Sequence, residues 1–233
     1  MAELEYKEAK DLSEEQHIVL LYGKSGVGKS TLVAQIPDVL ILLCDPGKAG
    51  GFPDTAKKYN PKVIKIESYA QMLNLIPVLK EKAGKEFKAL AVDSVSFLQR
   101  VVISHILRMA GTEIPRFDEW NLNAERMRKI LEQLCEVPCH VIFTALDGQV
   151  KDEVTGATTG GADLPGKLAG EFPRYCSTVA RLTVNSSYDT KGKLTANYIY
   201  TCVGDSTWSA KDRTGLIPLS GPTTIESFMP LFK

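Results

Sequence analysis

Residues 23 to 31 read Gly-Lys-Ser-Gly-Val-Gly-Lys-Ser-Thr, a glycine, four residues, and then Gly-Lys-Ser. That spacing suits triphosphate chemistry. Glycines let backbone N–H groups converge on phosphate oxygens, and a helix that starts after them adds its positive end. Lys29 is placed to reach the β- and γ-phosphates, and Ser30 to ligate Mg²⁺. ATP is therefore expected on Gly23, Lys24, Ser25, Gly26, Val27, Gly28, Lys29, Ser30 and Thr31. An eight-residue match can arise by accident. Here Ile18 to Tyr22, an apolar run, precedes it and a helical segment follows, which is the context the chemistry needs.

Two carboxylates could complete the site. Asp93 closes the apolar run Ala89-Leu-Ala-Val, and from a strand end it would hold the magnesium through water, opposite Ser30. An Asp there can also simply cap the next helix; beside the phosphate-loop pattern the metal role is favoured. Ser94 follows instead of a glutamate, so a water-activating base must come from elsewhere. Asp45, after Val39 to Cys44, ends a strand on the carboxyl edge, where it could orient water against the γ-phosphate. As a turn former before Pro46-Gly47 it is equally well explained.

Cations and aromatics supply the remaining candidates. Lys211 and Arg213 could stabilise transition-state charge from a neighbouring subunit, although by type they read as solvated surface charges. The Gly- and Thr-rich stretch 147 to 163 holds Lys151, Thr158, Thr159, Gly160 and Gly161. It could couple nucleotide state to DNA contact, or be a mobile surface loop or loose hairpin. Arg108, Arg116, Phe117 and Trp120 could stack bases, though such aromatics more often pack a core. His17, His105 and His140 have no ligand spacing and read as structural.

The elements that must position these residues alternate. Strands are expected at 18–22, 39–44, 63–66, 89–93 and 140–145, from short apolar runs that stop at turn residues. Helices are expected at 30–35, 69–82, 95–109 and 119–136, the last with Leu122, Met127, Ile130, Leu131 and Leu134 facing inward. The stretch from Asp45 to Pro61 reads as loop. A short helical piece follows at 168–172, an antiparallel hairpin at 179–184 with 194–202, and a loop tail with a brief helix at 225–228. The fold class is α/β: a mostly parallel sheet flanked by helices, with an antiparallel C-terminal edge.

The chain has 233 residues and a formal net charge of zero. One core domain is expected at 17–233, after a polar lead-in at 1–16. Zero charge excludes a global field that draws the protein onto nucleic acid or an anionic membrane. Five cysteines without a Cys-x-x-Cys pair argue against a zinc site or disulfide framework. No apolar run spans a bilayer and the N-terminus is polar, so a cytoplasmic location is expected, the host cytosol if the chain is phage-encoded.

At this point the residues resemble the RecA superfamily. Leu42-Leu-Cys-Asp45 looks like the strand that ends in that family's catalytic glutamate, and Val92-Asp-Ser-Val95 like its Walker B strand. Val141-Ile-Phe143 with Thr158-Thr-Gly-Gly161 looks like the fifth strand and second DNA-binding loop. Tyr6-Lys-Glu-Ala9 is similar to the segment that tethers neighbouring RecA subunits. Leu164-Pro-Gly-Lys-Leu168, Phe172-Pro-Arg174 and Lys211-Asp-Arg213 before Leu216-Ile-Pro218 are similar to the phage-type short RecA-core ATPases, which include single-strand annealing proteins.

The resemblance implies a RecA-like core that binds ATP and Mg²⁺, assembles into a homo-oligomeric ring or filament, and takes single-stranded DNA as partner. A single-strand-binding protein is a further implied partner, and annealing or strand exchange the implied activity, with hydrolysis at subunit interfaces. It gives Lys211 and Arg213 the role of cations acting in trans. Two departures stand out. Asp45 is one methylene shorter than the glutamate, which implies slow turnover. Leu146 occupies the position of RecA's γ-phosphate sensor, so Asp147 or Gln149 must substitute. A second expectation is a nucleotide-switched loader for a helicase or nuclease with little DNA affinity, which the zero net charge favours. A small-molecule kinase ranks last, because the 111–118 loop offers only Arg116 to a lid.

Overall fold

The computed structural model describes residues 16–45, 52, 54–151, 158–188 and 192–233. Tyr6 to Ala9, the Pro46-Gly47 turn and the centre of the 147–163 stretch lie outside the described residues.

The apolar runs form the middle of one sheet. Strand β1 (Ile18–Tyr22) lies between β5 (His140–Ala145) and β8 (Thr178–Tyr188), parallel to both. Beyond β5 come β4 (Ala89–Asp93), β2 (Val39–Leu43) and β3 (Lys62–Lys65), all parallel. On the other side β8 pairs antiparallel with β9 (Leu194–Thr201), and β9 with β11 (Ser220–Pro222), while β10 (Lys211–Asp212) adds to the start of β8. This is the mostly parallel sheet with antiparallel edge strands that the RecA resemblance implies.

Alternation along each strand divides the core in two. Leu20, Tyr22, Leu90, Val92, Val141 and Phe143 face one side, where α3 (Tyr69–Lys82), α4 (Val95–Ala110) and α5 (Phe117–Cys135) cover them. Val19, Leu21, Ile41, Ala91 and Ile142 face the other, under α1 (Lys29–Val33), α2 (Asp54–Lys57) and α7 (Ile225–Phe228). Strands buried on both faces need no polar alternation, which is why they appear as unbroken apolar runs.

Several expectations need correction. The stretch expected as loop up to Pro61 contains α2. Leu122 is exposed, and the inward position beside it is taken by Asn123, which is fully buried. The Gly/Thr-rich segment takes the hairpin alternative of its reading, a separate antiparallel pair of β6 (Asp147–Lys151) with β7 (Thr158–Ala162), Asp147 opposite Ala162. The tail forms β10 and β11, which are too short to show a period of two. β8 starts one residue earlier and ends four later than expected, because its first half serves the parallel sheet and its second half a two-stranded ribbon with β9. α6 (Leu168–Glu171) runs into a 3-10 turn at Phe172–Arg174.

Candidate nucleotide site

Because β1, β4, β5 and β2 run the same way, their carboxyl ends share one edge. Residues far apart in sequence meet there, at the edge where open α/β sheets bind ligands.

The phosphate-loop residues leave β1 at Gly23, whose N–H donates to the Ala145 carbonyl at 3.3 Å. A Cβ on Gly23 would stand 2.3 Å from the Leu182 carbonyl oxygen, so only glycine fits between the loop and β8. Gly28 caps α1 with φ of 93°, a left-handed conformation that glycine adopts without strain. Lys29 is buried, and its Nζ donates to the carbonyls of Gly23 (2.7 Å) and Lys24 (2.8 Å). Burial lowers its pKa, while Asp93 and Asp147 nearby favour the charged amine.

Asp93 is buried at the end of β4, where its carboxylate accepts hydrogen bonds from the hydroxyls of Ser30 and Thr144. Burial pushes its pKa up; the two hydroxyls and Lys29 oppose that, and Asp45 adds to it. Lys29, Ser30, Asp93 and Asp45 are thus brought together. The Asp93–Ser94 peptide is cis.

Thr144 belongs to the site although no motif marks it. Its signal was a lone hydroxyl inside the buried run of β5, one strand away from Asp93. Of the two proposed substitutes for the sensor, Asp147 lies close enough to act electrostatically on both Lys29 and Tyr22.

The β6–β7 hairpin is tied to this edge at two points. At its root, the fully buried Ser96 accepts from the Leu146 N–H and donates to the Asp163 carbonyl, both at 2.9 Å. Ser96 lies three residues after Asp93, in the first turn of α4. Along β7, Gly160 exchanges backbone hydrogen bonds with Thr207 (2.6 Å) and Ser209 (3.1 Å). A Cβ on Gly160 would come within 2.5 Å of the Trp208 ring. Trp208 in turn carries the Arg181 guanidinium 3.4 Å from its ring centroid, and the Tyr22 hydroxyl donates to Ser209 O at 2.6 Å. Gly160 is therefore a packing glycine, whereas Gly161 faces open space and Thr159 is exposed. Thr158 is half-buried beside Lys151 in the hairpin register.

Lys211 and Arg213 lie elsewhere. Lys211 pairs with Val179, and the Arg213 N–H donates to Ser177 O at 3.0 Å, beside the start of β1. The phosphate loop follows the other end of that strand, so the fold does not bring the two cations to the loop of their own chain. Burial lowers the pKa of Lys211, and the adjacent Arg213 lowers it further.

The turn from α4 to α5 is apolar at its surface. Phe117 is 78% and Trp120 46% exposed, with Met109 at 73% and Ile114 at 76%. The expectation that these aromatics pack the core is overturned, because the buried stripe of α5 starts at Asn123. His17 and His140 stack at 5.7 Å at the opposite edge of the sheet, and His105 packs on Tyr69 at 4.9 Å, as structural histidines do.

No curated protein matches this chain at a significant level. Among solved structures it is similar to an ATPase from the type III secretion system of pathogenic bacteria, at 16% identity and a TM-score of 0.47 over 72% of this chain and 52% of that one. It therefore spans about half the length of that ATPase. It is also similar to the RadB recombinase, at 12% identity and a TM-score of 0.44 over 84% and 91% of the two chains. Residues 15–214 match the AAA domain family. That stretch contains the phosphate loop, Asp93, Thr144 and the hairpin, and the chain belongs to this AAA domain family.

Proposed function

We propose that this chain is a Mg²⁺-dependent ATPase that binds single-stranded DNA and promotes annealing or strand exchange, with turnover at contacts between subunits. The observation that carries the proposal is the convergence of Lys29, Ser30, Asp93 and Thr144 at one sheet edge, with a hairpin hydrogen-bonded to the helix that Asp93 precedes.

The donor set suits Mg²⁺. Ser30 and Asp93 offer one hydroxyl and one carboxylate in direct contact. Among the described residues no cluster of three or more His, Cys, Asp or Glu makes an all-protein cage, in keeping with an ion that retains waters and binds phosphate oxygens. When bound, the ion neutralises charge on the β- and γ-phosphates. Lys29 exchanges the Gly23 and Lys24 carbonyls for phosphate oxygens. Thr144 fixes the Asp93 carboxylate, Asp45 orients water, and Asp147 stands where the state of Lys29 can be passed to β6. Lys211 and Arg213, remote from their own loop, act on that of a neighbouring subunit.

DNA is assigned to two surfaces: the β6–β7 pair, with Thr159 and Gly161 on one face and Lys151 opposite Thr158 on the other, and the turn bearing Phe117 and Trp120. On the turn, bases stack on the exposed rings while Arg108 and Arg116 meet phosphates. One observation favours the second reading, a nucleotide-switched loader: Met109 and Ile114 make this turn more apolar than basic, as a protein-docking surface is.

A gel shift of single-stranded DNA separates the readings. With ATP analogue at low salt the native chain retards the strand, Lys29→Ala does not, and the shift weakens as salt rises. An unshifted strand under those conditions would overturn the DNA assignment.

A further inference from the structure

The ribbon formed by β8 and β9 continues past the end of β1 and leans on the phosphate loop with both strands. Leu182 on β8 presents its carbonyl to Gly23, and Tyr198 on β9 lies over Gly28, where an added Cβ would stand 3.9 Å from Tyr198 Cδ1. Directly paired residues share a face, so Leu182/Tyr200 and Val184/Tyr198 line the same side of the ribbon. The first pair is buried in the core that holds α1. The second is not: Tyr198 is 44% exposed, and Val184 is exposed beside it. The apolar face of the core thus runs out of the protein at the phosphate loop. The Tyr198 backbone is fixed there, because its carbonyl accepts from the Thr223 N–H at 2.9 Å.

We propose that Tyr198, with Val184 opposite it, is the platform on which the base of the bound nucleotide stacks. This rests on the nucleotide reading of the loop and adds the part of the ligand that the loop itself does not hold. A triphosphate cradled by Gly28, Lys29 and Ser30 leaves its nucleoside at the mouth of the loop. Tyr198 is the exposed aromatic ring beside Gly28, on the side of the loop away from Asp93. A flat heterocycle laid on Tyr198 and Val184 covers apolar surface that is otherwise wet, and stacking of this kind accepts any purine.

The test compares ATP with inorganic tripolyphosphate, which has the phosphates and no base, by calorimetric titration of the full chain. Tyr198→Ala should weaken ATP binding about tenfold, the range of one lost base–aromatic stack, and leave tripolyphosphate affinity unchanged. Tyr198→Phe should bind both as the native chain does. Etheno-ATP fluorescence, quenched on the native chain, should recover in Tyr198→Ala. Equal losses for both ligands would mean that Tyr198 only shapes the loop, and unchanged ATP affinity would mean that the base lies elsewhere. Either result overturns the proposal while the phosphate reading stands. A native chain that binds neither ligand overturns both.

Discussion

Ser96 makes a sharp test of how the phosphate edge is joined to the hairpin. Its hydroxyl is fully buried and makes two hydrogen bonds, accepting from Leu146 N–H and donating to Asp163 O. Ser96→Ala removes both and adds no bulk. The Asp163 carbonyl keeps a weaker partner, Gln99 Nε2 at 3.4 Å, so its loss is about 1 kcal/mol or less. The half-buried Leu146 N–H loses Ser96 Oγ, and a donor left so costs about 1–3 kcal/mol. The sum is about 2 kcal/mol. Urea unfolding should show that loss at unchanged m-value. Amide exchange should localise it: 2 kcal/mol is about thirtyfold in an opening equilibrium, expected at Leu146 and along 147–151 and 158–162, not in β1 or β4. Nucleotide affinity should hold, because Lys29, Ser30 and Asp93 are untouched, while protection of the hairpin by ATP analogue should vanish. A loss below about 0.5 kcal/mol with unchanged exchange at Leu146 would refute the reasoning, since it would mean that water replaces the serine at no cost.

Gly160→Ala should displace Trp208 from Arg181, because the new methyl would meet the indole at 2.5 Å. The chain has two tryptophans, so the emission of Trp208 can be isolated in a Trp120→Phe background. A red shift with a loss of about 1–3 kcal/mol is expected, and an unmoved spectrum would show that β7 shifts instead. His140 gives a pH signature. Burial, and then His17, lower its pKa, so the unfolded chain takes up its proton first. Its contribution to stability is complete above about pH 6.5 and falls as the pH drops below that value. Unfolding at pH 7.5 and 5.5 should therefore differ less in His140→Gln than in the native chain, and an equal difference would remove His140 from the account.

What could be read in the sequence is local or periodic. Gly23 to Ser30 announces itself because phosphate binding needs those residues in one continuous loop. Strands β1, β2, β4 and β5 are legible because burial on both faces demands unbroken apolar runs. Asp93 could be placed because it ends such a run. The rest depends on partners distant in sequence. Thr144 gains meaning only beside Asp93, and Ser96 is an ordinary helical serine until Leu146 and Asp163 lie next to it. Trp208 sits in a stretch without periodicity and owes its place to Gly160 and Arg181. Leu122 fails for the opposite reason: helical spacing marks a stripe but does not say where along the helix the stripe begins to meet the core, and the buried stripe starts at Asn123. Lys211 and Arg213 show the same limit, since their own chain holds them away from the loop.

The place of β1 bears on how the chain reaches this structure. The strand that launches the phosphate loop precedes both of its partners in the chain: Val19 pairs with Ile142 on one side and Thr178 on the other. One edge of this apolar strand therefore stays open until β5 has been synthesised, and the other until β8 has followed. Contacts this distant slow folding, because loop-closure entropy is lost before they form. Until then the exposed strand is a template for pairing with other chains. The phosphate loop, pinned between Ala145 and Leu182, takes shape only when that last partner arrives, so nucleotide binding doubles as a reporter of completed folding.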